Sequence, residues 1–330
     1  MRISGKFPSM PALYALQPAR DTLTMQRKHL LLAVVVTAVW GFNFPITKLG
    51  LAGIDPLLLT AIRFTLAALP WVFFVKRPQV AFHWLAVYGL IFGVAMWALI
   101  NLGIAMGVPP GSASLLIQFS AFFTLGWGVL LFRERLALPQ LIGMVLAAIG
   151  LVGILLGSPG KATTIGFSLV MVSALAWSIG NIVIKVSKVR EIFAFVVWAS
   201  LFPPIPLFLL TWLLHGPGPF TALPSHLRGA AMFSLAFQAY GATHFCYWGW
   251  NLLLREYPVS RVAPLSLLIP VFGIVSSLFI IGQRPSASDG ACIALILLAL
   301  AVGMNRGRIL PARQPVVRRP LESQVSMREP

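Results

Sequence analysis

One pattern is written twice in this chain. Trp40-Gly-Phe-Asn43-Phe-Pro45-Ile-Thr-Lys48 stands inside an apolar run near the front, and Trp177-Ser-Ile-Gly-Asn181-Ile-Val-Ile-Lys185 stands inside another near the middle. Each copy opens a block of about five apolar segments, and about 20 apolar residues are what one helix needs to cross a bilayer. Five is odd, so the second block must enter the membrane from the opposite face. Inverted repeats of this kind are the recurrent plan of secondary transporters, which place a binding site at the midplane between the halves.

The apolar stretches fall near 30–50, 57–75, 83–106, 110–132, 139–156, 165–186, 191–214, 229–252, 259–281 and 286–305. The chain is 58% hydrophobic and 10% charged, against about 25% charged in a soluble globular domain. The expected class is an all-α membrane protein of ten transmembrane helices in two inverted five-helix repeats, spanning 25–158 and 159–310. The break between the third and fourth segments, Val108-Pro-Pro-Gly111, holds no charge and leaves a nine-helix reading open. Residues 1–24 and 311–330 lack periodicity and read as disordered tails, and Met25 offers an alternative start. No cleaved signal peptide is visible, because the first long apolar run is a full membrane helix.

A net charge of +17 invites a nucleic-acid partner, but its distribution argues against one. Arg2, Lys6, Arg20, Arg27 and Lys28 precede the first segment, and six arginines from Arg306 to Arg328 follow the last. On the ten-helix reading, Lys76, Arg77, Arg133, Arg135, Lys188, Arg190 and Arg255 lie on that same face, while Lys161, Arg228 and Arg284 lie opposite. Such a bias sets both termini in the cytoplasm, and basic tails suit anionic headgroups. Cys246 and Cys292 form no CxxC pair and read as small buried hydrophobes. No cofactor or metal is expected. The partners are a small-molecule substrate and the lipid bilayer, with the chain a monomer or homodimer.

The Trp40…Asn43…Lys48 helix, the opening Gly111-Ser-Ala-Ser-Leu-Leu-Ile-Gln118 and the ending Phe132-Arg-Glu134-Arg-Leu136 resemble the EamA family of the drug/metabolite transporter superfamily. In the second half, Arg261-Val-Ala-Pro264-Leu-Ser-Leu-Leu-Ile-Pro270-Val resembles that family's ninth helix. The similarity covers roughly 25–303 and is nearest to the bacterial EamA-type exporters of cysteine and O-acetylserine. The resemblance implies ten helices in two inverted repeats and metabolite export. It also implies an acid closing each repeat. The first half keeps it at Glu134, while the second carries Gln283, so a latch of acids against Lys or Arg would be weaker on the second side. Ordinary helix-end roles are the alternative.

Polar groups inside hydrocarbon are costly unless paired or wet, so each is a site candidate. Trp40 belongs to a helical stripe with Asn43 on its margin, and Trp177 and Asn181 form the counterpart stripe. Their alternative is helix packing. Tyr240, His244, Tyr247 and Asn251 fall at i, i+4, i+7 and i+11, a line expected to border a wet cavity. His244 is the only histidine well inside a span. It is either a neutral packing group or a proton carrier. Ser114 and Gln118 share a face of the fourth segment. Pro264 and Pro270 mark the ninth as the bending element or as a static kink. Lys48, Lys185, Glu134 and Gln283 are candidates for coupling or gating. Arg63 sits about two turns into the second segment, either snorkelling, binding carbonyls or meeting a substrate carboxylate. The glycine pairs Gly89…Gly93 and Gly103…Gly107 mark close packing, internal or between copies.

No carboxylate falls clearly at mid-membrane, which favours a small zwitterion over a strong cation. It leaves His244-based coupling or a passive gradient. The expected function is export of small amino acids or related metabolites by alternating access. A broader exporter of aromatic amino acids, nucleobases or drug-like compounds is the alternative. An intramembrane enzyme would need HExxH, GxSxG or paired intramembrane acids, and the chain has none of these.

Overall fold

A computed structural model of the chain describes residues 25–134, 136, 138–157 and 164–282, together with 290, 291, 294, 295, 297–299 and 302. Gln283 and both tails lie outside the described residues. Everything described is helix or short connection. The spans are α1 (Arg27–Leu51), α2 (Pro56–Val72), α3 (Phe82–Ala105), α4 (Pro110–Phe132), α5 (Leu138–Gly157), α6 (Thr164–Ser187), α7 (Ile192–His215), α8 from Gly229 to Glu256, and α9 (Val259–Ile281). The helical residues between 290 and 302 supply the tenth, with Ala299 buried beside Leu115, Ala147 and Leu267. A short helix, Gly218–His226, joins α7 to α8 and has no counterpart in the sequence reading.

Local chemistry sets the boundaries. Asp55 caps α2 by accepting from the amides of Leu57 and Leu58, with Pro56 at the first helical position. The uncharged break between α3 and α4 is a real turn. Gly107 takes φ +99°, a left-handed region open to glycine, and Pro110 then starts α4. Helices α4 and α9 occupy equivalent places in the two halves and end alike. Arg133 and Gly282 each stand in the left-handed conformation that closes a helix.

Side-chain rungs show the helix directions. Between α1 and α8 they run 29–257, 36–246, 40–242 and 46–234, so these helices are antiparallel. Between α6 and α8 they run 181–250 and 185–254, so these are parallel. Helices α1 and α6 therefore run in opposite senses, and the two copies of the opening pattern are inverted in space.

Irregular backbone repeats with the same symmetry. Residues Ile91–Ala98 of α3 and Phe237–Phe245 of α8 are π-helical. Helix α4 breaks at 117–118, and α9 passes through a 3-10 stretch at Ala263–Leu267. Non-helical geometry at membrane depth survives only where protein surrounds it, and π-turns gather at functional places. The two π-helical turns fall at mid-helix, and the two breaks fall within the first nine residues of α4 and of α9. Gly89 and Gly93 pack against Ala199 and Pro203 of α7, and Gly103 against Val170 and Gly166 of α6. These glycines serve contacts within the chain. Large apolar side chains such as Phe74, Ile205, Leu213 and Phe279 point outward, as a lipid-facing wall requires.

Candidate functional site

Trp40 sits at the middle of the bundle. Its indole meets Trp177 at 5.3 Å, Tyr247 at 4.8 Å and Trp250 at 5.4 Å between ring centroids, all edge to face. This is the preferred arrangement for quadrupolar rings. The opening patterns of the two repeats thus touch through their tryptophans at the antiparallel crossing. Trp40 donates to the Ala242 carbonyl at 3.1 Å, while the indole N–H of Trp177 has no hydrogen-bond partner within the chain. Trp40, Phe44, Met96, Trp97, Trp177 and Tyr247 wall a void together with Ile100, Ile117 and Ile269. About 10 Å³ of it is open to the centre of a water molecule, room for roughly one water. The void is too small for cargo as it stands, so cargo enters only if the helices part.

The two repeat asparagines behave differently. Asn181 is tied on both sides, donating to Thr124 at 3.1 Å and accepting from Trp250 at 3.2 Å. Asn43 is fully buried, and neither its amide nitrogen nor its oxygen has a partner. The lysines differ too. Lys185 donates to the carbonyls of Leu254 and Tyr257 and caps α8, as cations favour helix C-termini. Lys48 is exposed at the far end of α1.

The expected line from Tyr240 to Asn251 does not hold as one face. The π-helical turn between Phe237 and Phe245 has more than four residues per turn and rotates its residues away from an α-helical stripe. Tyr247 reaches the pocket, its ring 4.0 Å from that of Phe92, and accepts from Trp97 at 3.0 Å. Asn251 donates to the Tyr88 hydroxyl at 3.2 Å. His244 instead packs among Trp71, Phe193 and Tyr240 and does not line the void. Its ring nitrogens make no well-formed hydrogen bond, although the Ala67 backbone lies close enough to interact with the ring. Tyr240 is 39% exposed at the bundle surface.

Ser114 and Gln118 are buried on α4, with Gln118 donating to the Ser114 carbonyl and its own oxygen unmatched. Helix α1 lies tight against α9 there. A Cβ on Gly41 would stand 2.5 Å from Phe272 Cβ and 2.8 Å from the Ile269 carbonyl. Pro264 has no amide to offer the Ser260 carbonyl one turn back. Gln140 of α5 donates to that carbonyl at 3.2 Å. Pro270 is buried in the third position of the helical stretch that follows the 3-10 turn. On the face that carries the start of α1, the Glu134 carboxylate accepts from the amides of Val259 and Ser260 at 3.1 and 2.9 Å. The end of α4 is thereby pinned to the start of α9. The corresponding position at the end of α9, Gln283, is outside the described residues.

Arg63 was not placed in the site by helical spacing, yet it is wholly buried at mid-helix. Its Nε donates to Thr243 at 2.9 Å, and its guanidinium carbon lies 3.9 Å from the Trp97 ring centroid. Both terminal nitrogens lack hydrogen-bond partners within the chain. Burying arginine in a span costs about 3 kcal/mol even on mild insertion scales. The signal available in the sequence was that cost itself. Among the described residues no His, Cys, Asp and Glu cluster could hold a metal.

A family profile described as "EamA-like transporter family" matches residues 27–156 and 164–304. A Salmonella typhimurium protein named "Probable amino-acid metabolite efflux pump" is 37% identical over 291 residues, covering 86% of this chain and 97% of its own. An Escherichia coli K12 protein of the same name is 36% identical over 286 residues, covering 85% and 96%. A Streptantibioticus cattleyicolor protein named "Probable terminal-alkyne amino-acid exporter" is 26% identical over 297 residues, covering 86% and 96%. One protein of known crystal structure, 19% identical, superposes with a TM-score of 0.64 over 83% of this chain and 96% of that one, a likeness of fold.

Proposed function

The chain belongs to the EamA-like transporter family, and from that premise we propose that it exports small amino acids or related metabolites by alternating access. The observation that carries the reading is the aromatic pocket where the inverted α1 and α6 cross. On this reading the small pocket widens during transport and opens to one face at a time. The Lys185 cap, the Glu134 pin and the His29–Tyr257 contact at 2.7 Å all tie helices together on the face of the α1 start. Lys48 makes no matching tie on the other face, where His215 and Asp55 join α7 to α2 instead. By the Lys/Arg bias the face of the α1 start is cytoplasmic and the termini lie there, in a bacterial inner membrane. A flexible α9, with its 3-10 turn and two prolines, supplies the moving element.

The wall of Trp40, Trp97, Trp177 and Tyr247 also favours a second cargo class, aromatic amino acids or other flat metabolites that stack on such rings. Efflux of labelled serine, cysteine, O-acetylserine and phenylalanine from proteoliposomes holding the purified chain tests both. Movement of at least one, unchanged in chemistry, is expected. Retention of all four ends the exporter reading, and the ratio between small and aromatic cargo decides between the two classes.

A further inference from the structure

Arg63 is a buried cation without a counter-ion. The described acids are Asp55, Glu134, Glu191 and Glu256, each at or beside a helix end. Two ion pairs join described residues, His215 with Asp55 and Arg255 with Glu256, and neither reaches the bundle interior. Helix α8 meets Arg63 at Thr243, half-way along its own length, so the guanidinium lies at mid-depth. Guanidinium nitrogens stay protonated and always donate. Here one nitrogen of three is matched and two are not.

The surroundings are polar and equally under-matched. Thr243 passes its own proton to the Gln238 carbonyl, and Gln238 donates to Ser234, which donates to the Ile46 carbonyl of α1. Asn101 donates to Thr60, one turn before Arg63. Asn43 and Thr47 share the α1 face that Ile46 and Gly50 turn toward α8 and α2, and their side-chain polar atoms have no partners. This corner meets the pocket through one shared side chain, Trp97. Its ring lies 3.9 Å from the guanidinium carbon and also lines the void, so a carboxylate reaches Arg63 only when the helices around Trp97 part.

We propose that Arg63 is the carboxylate receptor of the cargo site. The two unmatched terminal nitrogens take both oxygens of a substrate carboxylate while the rest of the molecule lies against the aromatic wall. A planar fork of donors matches a carboxylate bidentately, and the bound anion completes the ion pair that the protein leaves open. The cargo is then an amino acid or kindred organic acid, and its amide or decarboxylated amine is rejected. The inference rests on the exporter reading for its physiological sense, but its chemistry can be read without flux.

The test uses two series, serine with serinamide and ethanolamine, and phenylalanine with phenylalaninamide and phenethylamine. Each compound is assayed as a competitor of efflux in proteoliposomes and as a thermal stabiliser of the purified full chain. In wild type the acid of at least one series should act at about tenfold lower concentration than its amide and amine, since a missing partner for a buried polar group is heavily penalised. Arg63→Gln should bring the acid down to the level of the amide and leave the amide where it was. Equal potency of acid and amide in wild type overturns the proposal and leaves export standing, as does a folded Arg63→Gln protein that keeps the preference. If Arg63→Gln does not fold, the wild-type ratio and Arg63→Lys decide. Lysine keeps the charge without the fork, so an undiminished preference there sinks the bidentate assignment. Acid-specific stabilisation without any flux removes the exporter reading and keeps the receptor, whereas neither stabilisation nor flux removes both.

Discussion

Trp40 and Trp177 occupy matching places in the two repeats but hold different bonds, and substitution should separate them. Trp40 donates to the α8 backbone and touches three aromatic rings. Trp40→Ala is expected to lower both export and thermal stability, since removing a buried Trp costs about 3–5 kcal/mol. Trp177 leaves its N–H unmatched, so Trp177→Ala should lower export with the smaller loss of stability. Export at wild-type rate in both would refute the pocket. For His244 the expected outcome is silence: His244→Phe should leave the pH profile of efflux unchanged, because the ring packs among Trp71, Phe193 and Tyr240. A flattened profile in an active variant would return the histidine to proton coupling. The meeting of Trp40 with Trp177 was legible from their spacing in the two copies. The departure of His244 was not, since 3.6-residue periodicity cannot foresee a π-turn that rotates half of the stripe.

Among the helices, α9 makes the sharpest claim. Its 3-10 stretch depends on Pro264, and the carbonyl that Pro264 leaves free is answered by Gln140. Gln140→Ala should cost about 1–2 kcal/mol in detergent unfolding, the price of an unmatched buried carbonyl. Adding Pro264→Ala should recover about 1 kcal/mol by restoring an amide donor, a coupling that a double-mutant cycle measures. Strict additivity would show that the two residues do not share that carbonyl. Gly41 tests how α1 and α9 pack. Gly41→Val places methyl groups on the Phe272 and Gly273 backbone and should cost about 3 kcal/mol or more. Gly126→Ala, with open space beside it, should be near neutral. Helix positions were readable in the sequence because lipid demands unbroken apolar runs. The 3-10 stretch from Ala263 was hinted at by Pro264 and Pro270, while no proline announces the break at Ile117, and the short helix Gly218–His226 left no trace in apolar periodicity.

The inversion of the two halves is a property of the whole molecule, and side-chain rungs between α1, α6 and α8 define it. In a background without Cys246 and Cys292, Leu30→Cys and Ile165→Cys should react with an impermeant thiol reagent from opposite sides of the membrane. Labelling from one side would contradict the fold. Six helices of the described chain are long and apolar enough to cross by themselves, and α8 is not one of them. Yet α8 supplies Thr243, Tyr247 and Trp250 to the centre. The segment that furnishes the interior falls short of the length and apolarity that would carry it across alone, so its insertion should lean on helices made before it. The nascent eighth span has to be received by α1, α2 and α3 already waiting beside the translocon, and a ribosome-stalled chain lacking those three should leave it stranded in water.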